Sequence, residues 1–410
     1  MTTVNPISPI RVSPNGRHFV DAGGRPVFWL GDTLWELFRL YTPEEALRLL
    51  KNRQAKGINV ILAMLFGVDS AKAGGAGGTT PYANLEGQPL WIDNDPLRPN
   101  EKYFQHIDRS IRLGERTGQT LVVGVYHQWQ ADTITVQNAR AWARWVAQRY
   151  CDVPNLIWSM YPKAEPAFAP VCGELAAGLR EGDGGAHLIS MHPDPAVCSS
   201  SFLHEEPWLA FNMIQTCTAY DKIHETVSAD YARTPTKPVV MAEGGYEGLQ
   251  YGRSHTPHSI RKQAYWSQLS GAYFVYGHND NWAAPRNWEQ WMDAPGAAQL
   301  PIFRSVITSL REWWLLVPDP SLLASGAGSG FARNLAARAA AGDWLVAYLS
   351  EPSTVSLRLD AITAGRRGKA TWIDPRSGER KPAGSFAAAG AQSFTTPQGW
   401  EDAVLLVDAE

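Results

Sequence analysis

The sequence predicts an α/β fold: a (β/α)8 TIM barrel with an N-terminal β-hairpin, followed by a C-terminal all-β sandwich. Two observations lead to this fold class. Strand-then-helix units repeat about eight times through the first three quarters of the chain, which favours a barrel over an open sheet. After Pro318 the sequence changes to short alternating apolar runs separated by turns, which is typical of a sandwich. We therefore predict domains at residues 1–317 and 318–410 of the 410-residue chain.

The chain begins with the hairpin and the first strand–helix unit. Alternating residues flank the turn Pro14-Asn15-Gly16, so residues 10–30 should form a hairpin that ends in a first barrel strand at 27–30. A helix should begin after Thr42, because Pro43 suits the first helical position and Glu45 completes a capping box. We predict that this helix runs to about residue 56.

The remaining elements follow the same alternation. Further barrel strands are predicted at 59–65, 121–126, 155–158, 187–191, 210–214, 239–242 and 271–276. Helices are predicted at 101–116, 136–150, 171–180, 220–231, 259–270 and 297–314. The sandwich strands are predicted at 344–349, 355–359, 370–373, 385–386 and 403–407. A glycine-rich loop at 72–80 interrupts the second unit, and a loop of this length is usually functional or disordered.

The composition excludes several classes of function. The net charge of −3 and the isoelectric point near 6.4 give no electrostatic attraction to nucleic acid or to an anionic membrane. The sequence has no phosphate-binding loop and no dinucleotide fingerprint, so no cofactor is expected. The four cysteines lack metal-site spacing, and we expect reduced core thiols and no metal. The N-terminus lacks a signal-peptide pattern and no apolar run approaches 18 residues, so we expect a cytoplasmic protein of unknown oligomeric state.

The most informative single residue is Glu243. Residues 238–242 form an apolar run that predicts a buried strand, and this strand delivers Glu243 into Gly244-Gly245-Tyr246. A carboxylate at the end of a buried strand is costly to ionise unless neighbours hydrogen-bond it, so such residues are usually catalytic or paired. We interpret Glu243 as the catalytic centre.

Other polar and aromatic residues follow the predicted strands, where a barrel carries its reacting groups. They are Asp32, Trp35, Glu36, Tyr126, His127, Trp129, Lys163, Glu165, His192, Gln215, Tyr246, His278, Asn279 and Trp282. Because aromatic faces pack against the C–H faces of sugar rings, this set, in a chain with 17 Trp and 14 Tyr, predicts a carbohydrate site. Each residue also has a structural interpretation: Asp32 and Glu36 as helix caps, the histidines as buried core residues, and the tryptophans as packing over the barrel mouth.

Several longer motifs resemble one known family. They are FWLGDTLWELF (28–38), RPNEKYFQHID (98–108), NLIW (155–158), EPWLAFNMIQ (206–215), TPTKPVVMAEGGYE (234–247) and AYFVYGH (272–278). In these motifs and their order the chain resembles the apiosidase-like glycoside hydrolases, which are barrel enzymes with a small C-terminal β domain. The resemblance implies hydrolysis of a glycosidic bond by two carboxylates, with the nucleophile after the seventh strand and the acid/base after the fourth. Glu243 matches the nucleophile.

The segment after the fourth strand departs from the family pattern. Lys163 stands where the family has an acidic residue, and Glu165 follows in an Ala-Glu-Pro setting. Three interpretations remain open. Glu165 is the replacement acid/base, or Lys163 binds an anionic group such as a uronate while the proton comes from elsewhere, or the protein only binds sugar. A lysine within about 4 to 6 Å would lower the pKa of a general acid, so the first interpretation requires Lys163 to point away from Glu165.

The predicted function is therefore an exo-acting, retaining glycosidase of a plant-derived glycan or glycoside, which removes a terminal furanose such as apiose or arabinose. Glu243 and Glu165 are the predicted catalytic pair, and the other strand-end residues are predicted to bind the sugar. A non-catalytic carbohydrate-binding protein and an endo-acting glycanase are the alternatives. The expected partner is a carbohydrate, with no nucleic acid and no membrane.

Overall fold

The computed structural model describes residues 9–68, 83–195, 197–284 and 287–410. The predicted glycine-rich loop at 72–80 lies outside these residues. The chain has two regions of regular structure, and the bounds of their strands and helices follow.

The strands of the first region are β1 Arg11–Val12, β2 Phe19–Val20, β3 Pro26–Val27, β4 Leu30–Thr33, β5 Val60–Met64, β6 Thr120–His127, β7 Leu156–Tyr161, β8 Ile189–Met191, β9 Val197–Cys198, β10 Asn212–Gln215, β11 Val239–Glu243 and β12 Ala272–Tyr276. The helices are α1 Pro43–Ala55, α2 Glu101–Thr117, α3 Ala139–Arg149, α4 Ala169–Asp183, α5 Ser200–Leu203, α6 Ile223–Tyr231, α7 Pro257–Leu269 and α8 Pro295–Thr308. The later strands are β13 Leu316–Pro318, β14 Leu323–Ser325, β15 Leu335–Ala339, β16 Trp344–Leu349, β17 Thr354–Arg358, β18 Arg367–Ile373, β19 Arg380–Ala387, β20 Ala391–Thr395 and β21 Ala403–Ala409.

The first region is built on one curled sheet with helices between its strands. Its nine strands lie in the order β8-β7-β6-β5-β4-β12-β11-β10-β9, and all pairs are parallel except β10 with β9. The sheet curls so far that β8 approaches β10, where Ser190 Oγ donates to the Phe211 carbonyl over 2.7 Å. This architecture is consistent with a TIM-like barrel. Before it, β1, β2 and β3 form a small antiparallel sheet.

The start of α1 follows directly from its sequence. The Thr42 side chain accepts a hydrogen bond from the backbone of Glu45, and the Glu45 carboxylate accepts one from the backbone of Thr42. Pro43 occupies the first turn, where its missing N–H costs nothing. The predicted capping box is confirmed.

Two barrel strands differ from their predicted positions. The first one is Leu30–Thr33, not 27–30, because Asp32 and Thr33 lie inside the barrel although their polarity indicated a loop. The fourth strand continues to Tyr161, three residues beyond its predicted end, with all six residues buried. In both cases polar or aromatic residues at the strand end find partners within the barrel.

The second region consists mostly of antiparallel sheets. One has the strand order β13-β15-β16-β21-β18-β19, and the other has the order β14-β17-β20. Alternate residues of β16 point to opposite faces, as the two-residue period of a strand requires. Trp344, Val346 and Tyr348 join the barrel core, whereas Leu345, Ala347 and Leu349 join the core between the two sheets.

Helix α7 joins the two regions. The side chain of Arg261 donates to both oxygens of Asp402, at 2.8 Å each, and Tyr348 donates to the same carboxylate over 2.7 Å. The rings of Tyr265 and Tyr348 stack with centroids 4.5 Å apart. These buried contacts attach the C-terminal sheet to the outside of the barrel.

The cysteines only partly match their predicted environment. All four are free thiols, and Cys172 is buried as expected. Cys151 is exposed, because it follows the end of α3 in a surface turn, so the expectation of a core thiol is wrong for this residue. Among the helices of the described residues, none is long and apolar enough to span a bilayer.

Candidate active site

The carboxyl ends of the parallel strands surround a cavity of about 360 Å³. Its described lining residues are Trp35, Val68, His127, Gln128, Trp129, Tyr161, Pro195, Glu243, Tyr246, Leu249, Asn279 and Trp282. Glu243 is the one acidic residue among them, and none of them is lysine or arginine. The wall is therefore largely aromatic around a single carboxyl group, which is a suitable surface for the apolar faces of a sugar ring.

Glu243 ends β11 and is held by a chain of hydrogen bonds. Its Oε1 accepts from Gln215 Nε2 over 2.8 Å, and Gln215 Oε1 accepts from the Tyr161 hydroxyl over 2.7 Å. Because Tyr161 occupies the amide oxygen, the amide nitrogen of Gln215 faces Glu243. The carboxyl group is thus fixed in orientation by Gln215 on the neighbouring strand β10, which Tyr161 on β7 holds in turn.

Burial raises the pKa of Glu243 to about 7, and hydrogen bonds from Tyr246 and Gln215 act in the opposite direction. The cause is the lack of solvent around the carboxylate, which favours its neutral form. A carboxyl group that titrates near neutrality in a cleft is typical of a catalytic residue.

Two glycines allow the chain to turn sharply after Glu243. A Cβ atom on Gly244 would lie 1.9 Å from Gln263 Oε1, and a Cβ on Gly245 would lie 1.9 Å from the ring of His255. Only glycine fits such close approaches. This turn brings Tyr246 back over the cavity, where its hydroxyl accepts a hydrogen bond from Trp35 Nε1 over 3.1 Å.

Two buried histidines complete the polar part of the site. His192 Nε2 lies 3.6 Å from Glu243 Oε2, and its Nδ1 lies 2.9 Å from the Pro193 carbonyl. His127 Nδ1 accepts from the backbone of Trp129 over 3.2 Å. Burial lowers the pKa of His192 to about 4 and that of His127 to about 3, so both rings are neutral at neutral pH.

The structure brings together about half of the predicted site residues. Those that line the cavity are Trp35, His127, Trp129, Glu243, Tyr246 and Trp282, together with Asn279. His192 and Gln215 are next to Glu243. The residues that do not line the cavity are Asp32, Glu36, Tyr126, Lys163, Glu165 and His278.

Asp32 and Glu36 lie in buried ion pairs. Arg53 Nε donates to Asp32 over 2.5 Å, with both side chains fully buried, and Arg39 Nε donates to Glu36 over 2.8 Å. The Asp32 carboxylate also accepts from the backbone of Thr33, so its oxygens are occupied by protein groups. These contacts give the two acids a structural role beneath the cavity.

Tyr126 and His278 are also buried outside the cavity wall. His278 Nδ1 accepts from the backbone of Asp280 over 3.1 Å, and its ring stacks on Trp291 with centroids 5.0 Å apart. Its position at a strand end therefore reflects packing of the following loop.

The segment after β7 has an unexpected arrangement. Lys163 and Glu165 are both exposed, and neither lines the cavity with Glu243. Glu165 precedes a short 3-10 turn at Pro166–Phe168, and the backbone of Ala164 between the two donates to Asp194 over 2.8 Å. The residue on the cavity wall at this strand end is Tyr161.

Sequence reasoning missed Tyr161. The strand was predicted to end at Trp158, yet the alternation continues through Ser159 and Met160 to Tyr161. The two-residue period of a strand puts Trp158 and Met160 on the face opposite to Tyr161. This alternation was the available signal.

A second cavity and a cluster of possible metal ligands lie away from Glu243. A second cavity, of about 200 Å³, lies at the opposite end of the barrel beside Arg17, Tyr231 and Trp313, and its described lining contains no acidic residue. One cluster with metal-ligand atoms, His258, Glu401 and Asp402, lies at the contact between the two regions. Arg261 donates to both of these carboxylates, so they form ion pairs there.

Comparison with known families gives two matches. Residues 13–314 match the family model described as "Apiosidase-like, catalytic domain", and residues 317–408 match a model for a collagen-binding-like domain. The comparison with curated protein sequences found no match.

Solved structures with the same layout are glycoside hydrolases. One titled "Glycoside hydrolase" is 25% identical with a TM-score of 0.87, covering 98% of this chain and 97% of its own. A glycoside hydrolase family 5 protein from Bacteroides vulgatus is 24% identical with a TM-score of 0.86, covering 98% and 93%. A family 5 mannosidase from Rhizomucor miehei, at 12% identity and a TM-score of 0.55, covers 74% and 99% and shares the fold alone.

The first family model spans well over half of the chain, and the cavity that it covers holds the carboxyl group expected of that family after the seventh barrel strand. The resemblance seen in the sequence motifs is confirmed. The chain belongs to the apiosidase-like family of glycoside hydrolases and is a glycosidase.

Proposed function

We propose that this glycosidase is exo-acting and retaining, and that it removes a terminal furanose, apiose-like or arabinose-like, from a plant-derived glycan or glycoside. The observation that carries the proposal is Glu243, a carboxyl group at a strand end with a 14% exposed side chain, held by Gln215 in an aromatic cavity. Attack by its carboxylate on the anomeric carbon would form a glycosyl-enzyme intermediate, which water then hydrolyses. The proposal includes closure of the barrel that carries Glu243, between β8 and β10.

The size of the cavity supports exo action on a small sugar. About 360 Å³ is at the lower end of the usual range of roughly 300 to 1,000 Å³ for small-molecule sites. Such a volume suits one small ring at the reacting position. His127, His192 and Asn279 offer polar groups for its hydroxyls.

Trp129 is suited to the part of the substrate outside the cavity. Its side chain is 52% exposed at the rim, and its ring packs edge-on against His127 with centroids 4.7 Å apart. We expect Trp129→Ala to raise KM by up to about tenfold, because stacking of this kind contributes about 0.5 to 1.5 kcal/mol, while kcat and thermal stability change little. Steady-state kinetics with a disaccharide glycoside measures this, and Trp291→Ala, another partly exposed tryptophan outside the cavity wall, is the control. An unchanged KM in Trp129→Ala would show that Trp129 does not contact the substrate.

Glu165 is the proposed acid/base. It lies four residues beyond Tyr161, which is on the cavity wall, and four residues of extended chain span up to about 14 Å. Inward movement of residues 162–165 on sugar binding would bring its carboxyl group toward the glycosidic oxygen. A retaining reaction needs the two carboxyl groups about 5 to 5.5 Å apart.

Leaving-group dependence tests this role. If Glu165 protonates the leaving oxygen, Glu165→Gln should lose about 100-fold or more of kcat/KM on alkyl glycosides. It should lose much less on dinitrophenyl glycosides, whose leaving groups need no proton. Glu174→Gln, a surface carboxylate on α4, is the control and should behave as the unaltered enzyme. If Glu165→Gln loses kcat/KM by the same factor on both substrates, Glu165 is not the acid/base. This result would favour the interpretation in which Lys163 holds an anionic group.

An endo-acting glycanase is the alternative within this activity. Release of oligosaccharides instead of monosaccharides from a long glycan would support endo action.

A further inference from the structure

Two buried atoms of the site face each other without a hydrogen bond of normal geometry. His192 Nε2 and Glu243 Oε2 are 3.6 Å apart, and neither has a hydrogen-bond partner among the described residues. Buried polar atoms are nearly always paired, so an unpaired couple at a catalytic carboxyl group requires an explanation.

The hydrogen bond on the other side of the ring fixes the state of His192. A carbonyl oxygen only accepts hydrogen bonds, so the Pro193 carbonyl, 2.9 Å away, holds a proton on Nδ1. A neutral ring therefore presents the lone pair of Nε2 to Glu243. Ring contacts with Trp35 and Tyr161, with centroids 5.2 and 4.5 Å from that of His192, keep it in this orientation.

If Glu243 were ionised, its Oε2 and Nε2 of His192 would both be hydrogen-bond acceptors and would face each other without a proton between them. Carboxylate oxygens carry no hydrogen, and neither does Nε2 of neutral His192 in this tautomer. One proton between the two atoms removes the conflict, either on Glu243 as a carboxylic acid or on His192 as a cation.

The surroundings decide which group holds the proton. Tyr161 faces the carboxyl group through Gln215, Tyr246 and Cys217 lie beside it, and His127 faces His192. All of these groups are neutral at neutral pH, and no lysine or arginine is among the described lining residues. Burial raises the pKa of Glu243 to about 7 and lowers that of His192 to about 4, although the backbone at Pro193 and Ala242 favours the histidine cation. The proton therefore rests on Glu243.

We propose that His192 is a positioning residue that keeps Glu243 as a carboxylic acid in the empty site, by accepting the Oε2 proton at Nε2, so that the site becomes active only when this proton is lost to solvent. This regulation rests on the proposed role of Glu243 as nucleophile. Since the nucleophile must be ionised, kcat/KM falls as the pH falls through the pKa of Glu243, and the fall is centred near pH 7.

Two substitutions of His192 by an amide residue distinguish a hydrogen bond to Glu243 from packing of the side chain alone. In His192→Gln the amide nitrogen occupies the place of Nε2 and can donate to Oε2, which stabilises the carboxylate. The acid limb of kcat/KM should then move about one pH unit lower, a tenfold change in proton concentration. In His192→Asn the shorter amide reaches the Pro193 carbonyl but not Glu243, so Oε2 loses its acceptor without gaining a donor, and the limb should move lower by less than it does in His192→Gln.

Direct titration of the carboxyl group needs no activity. The resonance of the Glu243 carboxyl carbon, identified by its loss in Glu243→Gln, should titrate near pH 7 in the unaltered protein and about one unit lower in His192→Gln. His224→Gln, on α6 away from the cavity, is the control and should leave the titration unchanged.

The outcomes distinguish the inference from the proposed function. A Glu243 that titrates near pH 4 to 5 in the unaltered protein, or a titration that stays near pH 7 in both His192→Gln and His192→Asn, would overturn the inference even if glycosides are hydrolysed. If no glycoside is hydrolysed, the proposed function fails while the carbon titration still decides the state of the pair. Should His192→Gln fail to fold, the titration of His192→Asn compared with that of the unaltered protein decides.

Discussion

Glu243→Gln should abolish glycoside hydrolysis, with a loss of three or more orders of magnitude in kcat, on the scale seen when a catalytic nucleophile is removed from other enzymes. The amide cannot attack the anomeric carbon, and the described cavity wall offers no second carboxylate to replace it. Gln215 can still hydrogen-bond the new side chain, so the cavity should keep its shape. Hydrolysis of aryl glycosides at pH 8, where an acid with a pKa near 7 is mostly ionised in the unaltered enzyme, is the measurement.

Sugar binding provides the necessary second readout for this variant. Calorimetry should show that Glu243→Gln binds the released monosaccharide within a few-fold of the unaltered protein. Glu247→Gln is a less suitable control, because Glu247 is buried and accepts hydrogen bonds from Tyr276 and Gly296. Glu174→Gln again serves as the surface control. Retention of a tenth or more of the activity in Glu243→Gln would contradict the assignment of Glu243 as the nucleophile.

Asp32→Asn should be strongly destabilising. The substitution removes the negative partner of Arg53 where both side chains are fully buried, which leaves a buried cation. Breaking a buried ion pair in this way costs about 3 to 5 kcal/mol of unfolding free energy. Urea denaturation followed by tryptophan fluorescence should show a lower midpoint.

The kinetics of Asp32→Asn distinguish structure from substrate binding. If Asp32 only supports the barrel, the protein that remains folded should have an unchanged KM. Asp93→Asn, which breaks an exposed pair with Arg98, is the control and should leave the denaturation midpoint unchanged. A large rise in KM at normal stability would restore the predicted sugar contact of Asp32.

The sequence predicted most of the fold because its local patterns agree with the tertiary structure. The capping box at Thr42 and Glu45 starts α1 where expected, and the apolar run of β16 was predicted at its observed bounds. Errors occurred where polar residues are paired inside the protein. Asp32 suggested a loop because a single sequence gives no sign that Arg53, on the following helix, lies against it.

The candidate site was predictable at one residue and less so around it. Glu243 was found because an ionisable residue at the end of an apolar run is unusual, and its cost must be met by function or pairing. Tyr161 was missed because β7 continues past its most apolar part. Glu165 was chosen by its neighbours in sequence, whereas its exposure depends on how the segment after β7 leaves the barrel.

The sequence by itself determined the order of strands and helices and the change to short alternating apolar runs near residue 318. It also determined the family resemblance and the carboxyl group at the centre of the site. These features depend on local periodicity and on motifs, which are properties of neighbouring residues. The tertiary structure decided which strand-end side chains face the cavity and which are buried in ion pairs. It also decided that His192 faces Glu243, because the carboxyl ends of β8 and β11 approach each other only when the sheet curls. The distance between these two residues is not encoded in the sequence around either of them.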